Sequence, residues 1–366
     1  MRGAKGVQSA MFSYVTLERR IAKDHPLRGI RELMDRALER LDGEFAGMYA
    51  KTGRPSISPE KLLRALLLQV LYSVSSERRM MERMNYDLLF RWFVGLEMDE
   101  EIWDVTVFTK NRARLIEAEV SQHLLAAVLA EAGKHDLLSE EHFTVDGTLI
   151  QAWAAARSFH PRSDPPAPGQ GSGSRGEVLL RDKVVSATDP EARLHRKTKV
   201  DRSIPCFQGH VLMENRNGLA VAGQASLAAT NAERSVALEL LDRAVAGVDQ
   251  RAKERKITLG ADTQYQASEF IDGLRERQIA PHVSEYVEGN LDKNQLTEEE
   301  RNDPRLPISR NCRKRIERIF GWGKLDRMLA QVKLRGLKKV DWLFRLVLTA
   351  YNLTRMRRLM ELNPVS

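Results

Sequence analysis

Two aspartates in this chain are placed where they could share a divalent cation. Asp146 lies within Phe143 to Thr148, and Asp262 directly follows Ile257 to Ala261. Both segments are rich in apolar and β-branched residues, as is typical of strands. Clustered carboxylates attract hard cations that prefer oxygen ligands. Each aspartate also has a structural interpretation, because Asp-Gly is a common turn and an aspartate that ends a strand often caps the next helix.

Glu317 is the third candidate acid, and it stands in a basic stretch. At about 100° per residue, Arg313, Glu317 and Lys324 fall on one face of a continuous α-helix, which would place a carboxylate between two cations. The structural alternative is an ordinary surface pair of Arg313 and Glu317. Gly321 and Gly323 weaken the helical interpretation, because each glycine costs a helix about 1 kcal/mol and the helix could end before Lys324.

The order of strands and helices predicts how the two aspartates meet. Three strands, a helix, a strand, a helix and a strand are followed by helices, which is the order of a mixed, ribonuclease-H-like sheet. The first and fourth strands of such a sheet are neighbours, so Asp146 and Asp262 would lie close together. Asn217-Gly218 predicts a hairpin, because both residues tolerate positive φ. The predicted strands are His142 to Leu149, Gln208 to Glu214, Leu219 to Leu227, Ile257 to Ala261 and Ile279 to Ser284, and the predicted helices between them run from a capping box at Thr230 to Val248 and from Ala267 to Arg277.

The chain before the first strand is predicted to be helical. Ser58, Pro59 and Glu60 form a start signal, with a capping serine, a proline at the first helical position and an acid in the first turn. Apolar residues from Leu62 to Leu71 then repeat at the spacing of one helical face, and an aromatic helix is predicted over Leu88 to Phe93. These features predict a separate helical domain.

The composition indicates a globular protein with a phosphate-rich partner. Of the 366 residues, 42% are apolar and 30% are charged, and 58 basic against 50 acidic residues give a net charge of +8. Fifteen Lys and Arg residues against three acids lie between Arg310 and Met360. This basic tract favours nucleic-acid binding through charge neutralisation and counterion release, although a solvated face has the same composition.

Other compositional features exclude several classes of protein. No apolar run approaches the roughly 20 residues that a bilayer span needs, and no secretory signal is visible, so we expect a cytoplasmic chain without membrane contact. Cys206 and Cys312 are too few for a disulfide framework or a cysteine-built zinc site, so any metal would be held by oxygens or histidines. Pro161 to Gly176 has the composition of a flexible loop, and Glu285 to Asp303 is polar and acidic.

The basic stretch around Glu317 resembles a signature of the DDE-type transposases of bacterial insertion sequences. In that family the third acid lies in the pattern Tyr-x2-Arg-x3-Glu-x6-Lys. Arg313, Glu317 and Lys324 match this pattern by spacing, and Arg310 occupies the tyrosine position.

The other two acids extend the resemblance over roughly residues 12–360. The first acid of the family commonly lies in a Val-Asp-Gly-Thr-like strand, which Asp146 matches, and the second lies in an Ala-Asp-x-x-Tyr motif, which Asp262 and Tyr265 match. Thr263-Gln264 stand where Lys-Gly is usual. His210 falls in a strand that the family shares, and we interpret it as structural.

The resemblance implies a ribonuclease-H-like mixed sheet with flanking helices, of the α+β or α/β class, preceded by an all-helical domain. Residues 1–138 would form the helical domain for DNA binding or dimerisation. Residues 139–366 would form the catalytic domain, with a flexible insertion at 158–205, a polar insertion at 285–309 and basic C-terminal helices.

The resemblance also implies a chemistry. Asp146, Asp262 and Glu317 would be the catalytic residues and would ligate two Mg²⁺ ions, for which Mn²⁺ can substitute. Two such ions stabilise the attacking and leaving oxygens of an in-line phosphoryl displacement. Water would cut one strand at the end of the element, and the freed 3′-hydroxyl would attack target DNA. The residues implied in DNA binding are Arg310, Arg313, Trp322 and Lys324, of which Trp322 would stack on a base or pack in the core.

The implied partners are double-stranded DNA, as terminal inverted repeats and as target, and a second copy of the chain in a homodimer that pairs two DNA ends. The protein would act in the bacterial cytoplasm, at the nucleoid when bound to DNA. Two alternatives stay open. One is a ribonuclease-H-like nuclease that cuts DNA without joining it, and the other is a non-catalytic DNA-binding repressor derived from a transposase.

Overall fold

A computed structural model describes residues 15–49, 52, 56–161, 184–196, 202–229, 232–245, 257–287, 291–325 and 328–362. Helices come first, and a mixed sheet covered by further helices follows. The helices of the described residues are α1 Leu17–Arg20, α2 Leu27–Glu39, α3 Asp42–Met48, α4 Pro59–Leu71, α5 Glu77–Tyr86, α6 Leu88–Val94, α7 Val105–Glu117, α8 Val120–Lys134, α9 Ala232–Val245, α10 Ser268–Glu276, α11 Glu298–Arg301, α12 Leu306–Arg313, α13 Ile316–Leu325 and α14 Leu337–Leu362. The strands are β1 His142–Gln151, β2 Phe159–Pro161, β3 Val184–Ser186, β4 Arg193–His195, β5 Ile204–Glu214, β6 Ala220–Leu227, β7 Thr258–Ala261 and β8 Ala280–Val283.

Helix α4 shows how the N-terminal segment becomes helical. Ser58 accepts a hydrogen bond from the amide of Lys61, and Pro59 occupies the first turn, as predicted. Leu62 and Leu67 on this helix are fully buried. Nine of the thirteen residues of α4 are buried. Because burial of one leucine side chain contributes about 1.5–3 kcal/mol, α4 contributes a large part of the core of the helical unit.

The sheet has the predicted strand order. β1 pairs with β5 in antiparallel and with β7 in parallel orientation, and β8 continues the sheet in parallel beside β7. β6 and β4 both pair with the other edge of β5. This order confirms the ribonuclease-H-like fold class, with an all-helical segment before the sheet.

The hairpin between β5 and β6 is closed by its own residues. Gly218 has φ +74°, which the predicted turn requires. The buried carboxylate of Glu214 accepts hydrogen bonds at 2.9 Å from each of the amides of Arg216, Asn217 and Leu219. These bonds satisfy backbone donors that the turn would otherwise leave without partners.

Helices cover the two faces of the sheet. α9 and α10 pack on one face, where they form one hydrophobic core. On the other face, α14 packs against β6 and also against α2, α4 and α8, within a second core that continues into the helical unit. Gly209 makes room for this helix, because a Cβ there would lie 2.7 Å from a ring carbon of Phe344. The first helices and the sheet therefore share a core, and the domain boundary at 138/139 stays a prediction.

Some segments differ in detail from the sequence-based expectation. The short strands β2, β3 and β4 fall within the insertion predicted at 158–205, and β2 pairs with β3. Most of the predicted flexible loop, 162–176, lies outside the described residues, as do Thr230 and Asn231 of the predicted capping box. The polar segment 285–309 contains α11, which has a capping box between Thr297 and Glu300. None of the helices in the described ranges has the length and apolarity that crossing a membrane requires.

Candidate active site

Asp146 lies on β1, and Asp262 directly follows the neighbouring parallel strand β7 at the same level. The register pairs Thr144 of β1 with Gly260 of β7, and each aspartate lies two residues farther along its chain. Adjacent strands are about 4.8 Å apart, and residues two positions apart share a face. β7 ends one residue before Asp262, whereas β1 continues for five residues after Asp146. The two aspartates therefore lie beside each other at a notch, which we define as the place where β1 runs past the end of β7.

Backbone amides hold both carboxylates. Oδ1 of Asp146 accepts a hydrogen bond from the amide of Gly147 at 2.8 Å, and Oδ1 of Asp262 accepts one from the amide of Gln264 at 2.8 Å. The second bond caps the short 3₁₀ turn Thr263–Tyr265, so the capping interpretation of Asp262 is correct. An ionised carboxylate has about four acceptor positions, and a capping bond is therefore compatible with a cation ligand.

Helix α13 carries Glu317 and Lys324 along β1. Near its start, Arg315 donates to the carbonyl of Asn215 at 2.7 Å, and near its end the ammonium of Lys324 donates to Oγ1 of Thr148 at 2.6 Å. Thr148 lies two residues after Asp146, on the same face of the strand. Glu317 is exposed, and it lies between these two anchors, about 10 Å along the helix from Lys324.

The donor set at the notch suits a hard divalent cation. Carboxylate oxygens are the ligands that Mg²⁺ and Mn²⁺ prefer. Tyr265 is 1% exposed, and its buried hydroxyl has no hydrogen-bond partner among the described residues. Burial raises the pKa of this hydroxyl, and the charges of Glu233, Asp146 and Asp262 raise it further. A polar ligand would supply the acceptor that this buried donor lacks.

Glu317 does not form a compact three-carboxylate cluster with Asp146 and Asp262. Within the described ranges, no three histidine, cysteine or acidic side chains are close enough together to hold a metal. Like charges repel each other, so a set of carboxylates spreads apart unless a cation neutralises it. The ligand role of Asp146, Asp262 and Glu317 therefore stays a prediction.

Helix α13 is not broken by its glycines. It runs from Ile316 to Leu325 and includes Gly321, Gly323 and Lys324. A Cβ on Gly323 would lie 2.7 Å from Cδ1 of Leu329, so this glycine permits close packing. Lys324 consequently stays on the helix that also carries Glu317.

The predicted single helix from Arg313 to Lys324 is wrong. α12 ends at Arg313 and α13 begins at Ile316, with a turn between them in which the amide of Arg315 donates to the carbonyl of Cys312 at 2.9 Å. The helical face calculated from Arg313 therefore does not apply, because Arg313 belongs to the preceding helix. Its role as a DNA contact stays a prediction.

Two further predicted DNA contacts differ in their surroundings. Arg310 lines an open cavity of about 660 Å³ beside the end of β8, together with Arg301, and its guanidinium lies 4.0 Å from the carboxylate of Glu285. Trp322 packs edge-on against Tyr351, with ring centroids 5.9 Å apart, at the margin of the shared core. The packing favours the core role of Trp322 over stacking on a base.

The basic tract is used in two ways. On α14, Arg345 forms an ion pair with Asp341 at 2.9 Å, and Arg355 donates to a carbonyl of the β5–β6 hairpin at 2.9 Å. Lys314 in the turn between α12 and α13 and Arg318 on α13 are exposed, and the side chain of Arg310 on α12 is 45% exposed. Arg345 and Arg355 are thus used inside the fold, whereas Lys338, Lys339 and Arg358 on the same helix are exposed. We expect phosphate contacts chiefly from the α12–α13 segment.

His210 and Glu233 complete the surroundings of the notch. His210 is fully buried, its Nε2 lies 2.8 Å from Oγ of Ser226, and burial lowers its pKa to about 4, all of which fits a structural role. Glu233, in the first turn of α9, lies against Gly147, and sequence reasoning missed it as a functional candidate. Its sequence context indicates only an acid near a helix start, which is a common stabilising position.

Family models match most of the chain. Residues 15–114 match the model described as "Transposase domain (DUF772)", and residues 167–353 match the model described as "Transposase DDE domain". The second match includes Asp262 and Glu317 and begins after Asp146. No curated protein matches the chain.

Solved structures resemble the chain only distantly. A piggyBac transposase synaptic complex with hairpin DNA is 9% identical, with 92% of this chain and 76% of that chain covered and a TM-score of 0.39. A pre-cleavage Mos1 transpososome is 12% identical, with 94% of each chain covered and a TM-score of 0.22. A Mos1 mariner paired end complex with Mn is 13% identical, with 89% of this chain and 84% of that chain covered and a TM-score of 0.22.

Proposed function

The chain belongs to the family of transposases with a DDE domain, and we propose that it cuts the ends of an insertion sequence and joins their 3′-hydroxyls to target DNA. The observation that carries this proposal is that Asp146 on β1 and Asp262 at the end of the parallel strand β7 lie at the same level, beside the helix with Glu317 and Lys324. This placement offers oxygen ligands and a phosphate-binding cation at one position on the sheet.

The acidic and basic side chains of the site would have different roles. Asp146, Asp262 and Glu317 would hold the divalent cations. Two bound Mg²⁺ ions would neutralise the charge that develops on the attacking and leaving oxygens of an in-line displacement. Lys324, which Thr148 holds beside the notch, would bind the phosphate next to the reacting bond as a point charge.

The reaction would proceed in two displacements at the same site. Water attacks a phosphodiester at the end of the element, and the P–O3′ bond breaks, which frees a 3′-hydroxyl and leaves a 5′-phosphate on the other fragment. The 3′-hydroxyl then attacks a phosphodiester of target DNA, loses its proton, and displaces the 3′-oxygen of the target strand. No protein side chain forms a covalent bond in either displacement.

The remaining parts of the chain would bind and pair DNA. The guanidinium groups of Arg310 and Arg313 on α12 would form bidentate hydrogen bonds with phosphates of the same strand. The helices before β1 would contact the terminal repeats, with exposed Arg78 and Arg79 on α5 as candidates. A homodimer would hold two ends together, since one site serves one end. With DNA as its substrate, the protein would act at the nucleoid in the bacterial cytoplasm.

A strand-transfer assay with labelled element ends and a supercoiled target tests the proposal. We expect Mg²⁺-dependent nicking followed by joined products, and loss of both with Asp146→Asn, Asp262→Asn or Glu317→Gln. Glu239→Gln removes an exposed carboxylate from α9 and is the matched control. Nicking without joined products would favour a nuclease, and end binding without nicking would favour a repressor.

A further inference from the structure

Arg234, near the start of α9, is attached to the turn that follows β7. Its Nε and Nη2 donate to the carbonyl of Gln264 at 3.0 and 2.8 Å. The amide of the same residue, Gln264, donates to Oδ1 of Asp262 at 2.8 Å. A single residue therefore connects the guanidinium of Arg234 with the carboxylate of the second candidate acid.

The residue before Arg234 contacts the other strand of the notch. A Cβ on Gly147 would lie 2.9 Å from Oε1 of Glu233, so this side chain rests on β1 directly after the first candidate acid. Consecutive residues of α9 thus contact β1 and the turn after β7. Lys324, which donates to Thr148 on β1 at 2.6 Å, reaches the same region from α13.

The guanidinium of Arg234 keeps one edge unused. A guanidinium has five N–H donors, and the bonds to Gln264 use those on the Nε–Nη2 edge. The Nη1–Nη2 edge forms no hydrogen bond or ion pair with the described residues. This edge presents two parallel donors, which match two oxygens of a phosphate. Because the carbonyl already holds the partly exposed side chain, binding a phosphate would cost little further side-chain freedom.

The second arginine of α9 shows the structural alternative. Arg243 forms an ion pair with Glu239 at 3.5 Å and donates to the side chain of Gln224 at 2.5 Å. Within the described ranges, Arg234 has no acidic partner of this kind. Helix stability does not explain its position either, because the helix dipole favours acids rather than cations in a first turn. The charge of Arg234 is therefore available to a ligand.

We propose that Arg234 binds a backbone phosphate of the DNA strand at the notch, on the side away from Lys324. This inference rests on the proposed function. α9 packs on one face of the sheet, and α13 packs with α14 on the other. Each face would then supply one cation, and the strand would be held on both sides of Asp146 and Asp262.

DNA with a single neutral phosphate tests the inference without catalysis. A duplex of the element end carries a methylphosphonate, which lacks the phosphate charge, at each position around the cleavage site in turn. Its affinity for the full-length protein is measured in EDTA, where no metal supports cleavage. We expect Arg234→Gln to bind the unmodified duplex about tenfold more weakly, which corresponds to about 1.4 kcal/mol. At one position the methylphosphonate should weaken binding of the unmodified protein and have no further effect on Arg234→Gln.

Two further variants control for charge and folding. Arg243→Gln removes the other arginine of α9 and should leave both the affinity and its pattern along the duplex unchanged. Arg234→Lys keeps the charge and loses the paired donors, so it should bind more weakly with an unchanged slope of log affinity against log salt. If the thermal melt showed that Arg234→Gln does not fold, Arg234→Lys would decide the question.

The outcomes separate the inference from the proposed function. An affinity loss in Arg234→Gln that adds to the methylphosphonate effect at every position would reveal an indirect structural effect and overturn the phosphate contact. Normal binding by Arg234→Gln, together with weakened binding by Lys324→Ala, would overturn the role of Arg234 and leave the proposed function intact. Normal binding by both variants would overturn the proposed phosphate contacts at the notch as well.

Discussion

Two glycines in one turn of α13 allow a test of whether close packing positions this helix beside the active site. Gly321 and Gly323 both lie inside α13, two residues apart. A Cβ on Gly321 would meet nothing within 4 Å, whereas a Cβ on Gly323 would lie 2.7 Å from Cδ1 of Leu329 and 3.2 Å from Cγ1 of Val347. The two substitutions with alanine thus change helix propensity equally and packing differently.

The expected magnitudes follow from these distances. Alanine stabilises a helix interior by up to about 1 kcal/mol relative to glycine, and Gly321→Ala should show this gain. Gly323→Ala should add an overpacking cost of about 1–3 kcal/mol, because Leu329 and Val347 are buried and cannot move into solvent. The two variants should therefore differ in free energy of unfolding by about 1–3 kcal/mol, with Gly321→Ala the more stable.

Urea unfolding and DNA cleavage measured on both variants check this reasoning. Gly323→Ala should lift the end of α13 and weaken the contact of Lys324 with Thr148, so it should lose cleavage activity beyond its loss of stability. Gly321→Ala should cut DNA normally. Equal stabilisation by both substitutions, or normal cleavage by Gly323→Ala, would refute the view that close packing at Gly323 sets the position of Lys324.

Three further outcomes are expected. Lys324→Ala should weaken binding to specific and random duplexes alike and reduce the slope of log affinity against log salt by about one unit. It should also impair cleavage more than binding. An unchanged slope with normal cleavage would show that Lys324 is only a solvated surface charge. The double replacement Arg78→Ala with Arg79→Ala should reduce affinity for element ends more than for random DNA in gel shifts, and an equal loss on both would remove α5 from end recognition. Burial lowers the pKa of His210 from 6.5 to about 4, so the unfolded chain binds more protons between these values. The contribution of His210 to the free energy of unfolding should be fully present above pH 6.5 and should fall by about 3 kcal/mol as the pH drops to about 4. In His210→Gln, the urea midpoint should depend less on pH over this range.

The main strands of the sheet could be predicted because apolar and β-branched residues are concentrated in them. β1, β5, β6, β7 and β8 all fall at the predicted places, and the hairpin at Gly218 has the expected positive φ. β2, β3 and β4 were missed because strands of three residues are too short for a pattern of alternation. These short strands form because they pair with residues distant in sequence, and the sequence of a three-residue segment does not indicate such pairing.

The candidate site was predictable where it depends on strand order. The neighbouring positions of Asp146 and Asp262 follow from the parallel pairing of β1 with β7, which the succession of elements implies. The break before Ile316 could not be read locally, because Arg315 is held by the carbonyl of Asn215, 100 residues away. The approach of Glu233 to β1 depends on the same kind of distant contact.

Helix α14 determines how the helical unit relates to the notch. It is buried on most of its circumference, as expected for a helix that lies between two layers rather than on a surface. Its residues pack on α2, α4 and α8 as well as on β6, and Arg345 reaches from it to the carbonyl of Gly223 in β6 at 3.2 Å and to the side chain of Gln122 in α8 at 2.5 Å. Removing the first helices would expose this core, so truncation cannot separate end recognition from stability. Because the helical unit is attached through a packed core instead of a linker, DNA bound to α5 would be held at a fixed position relative to Asp146 and Asp262.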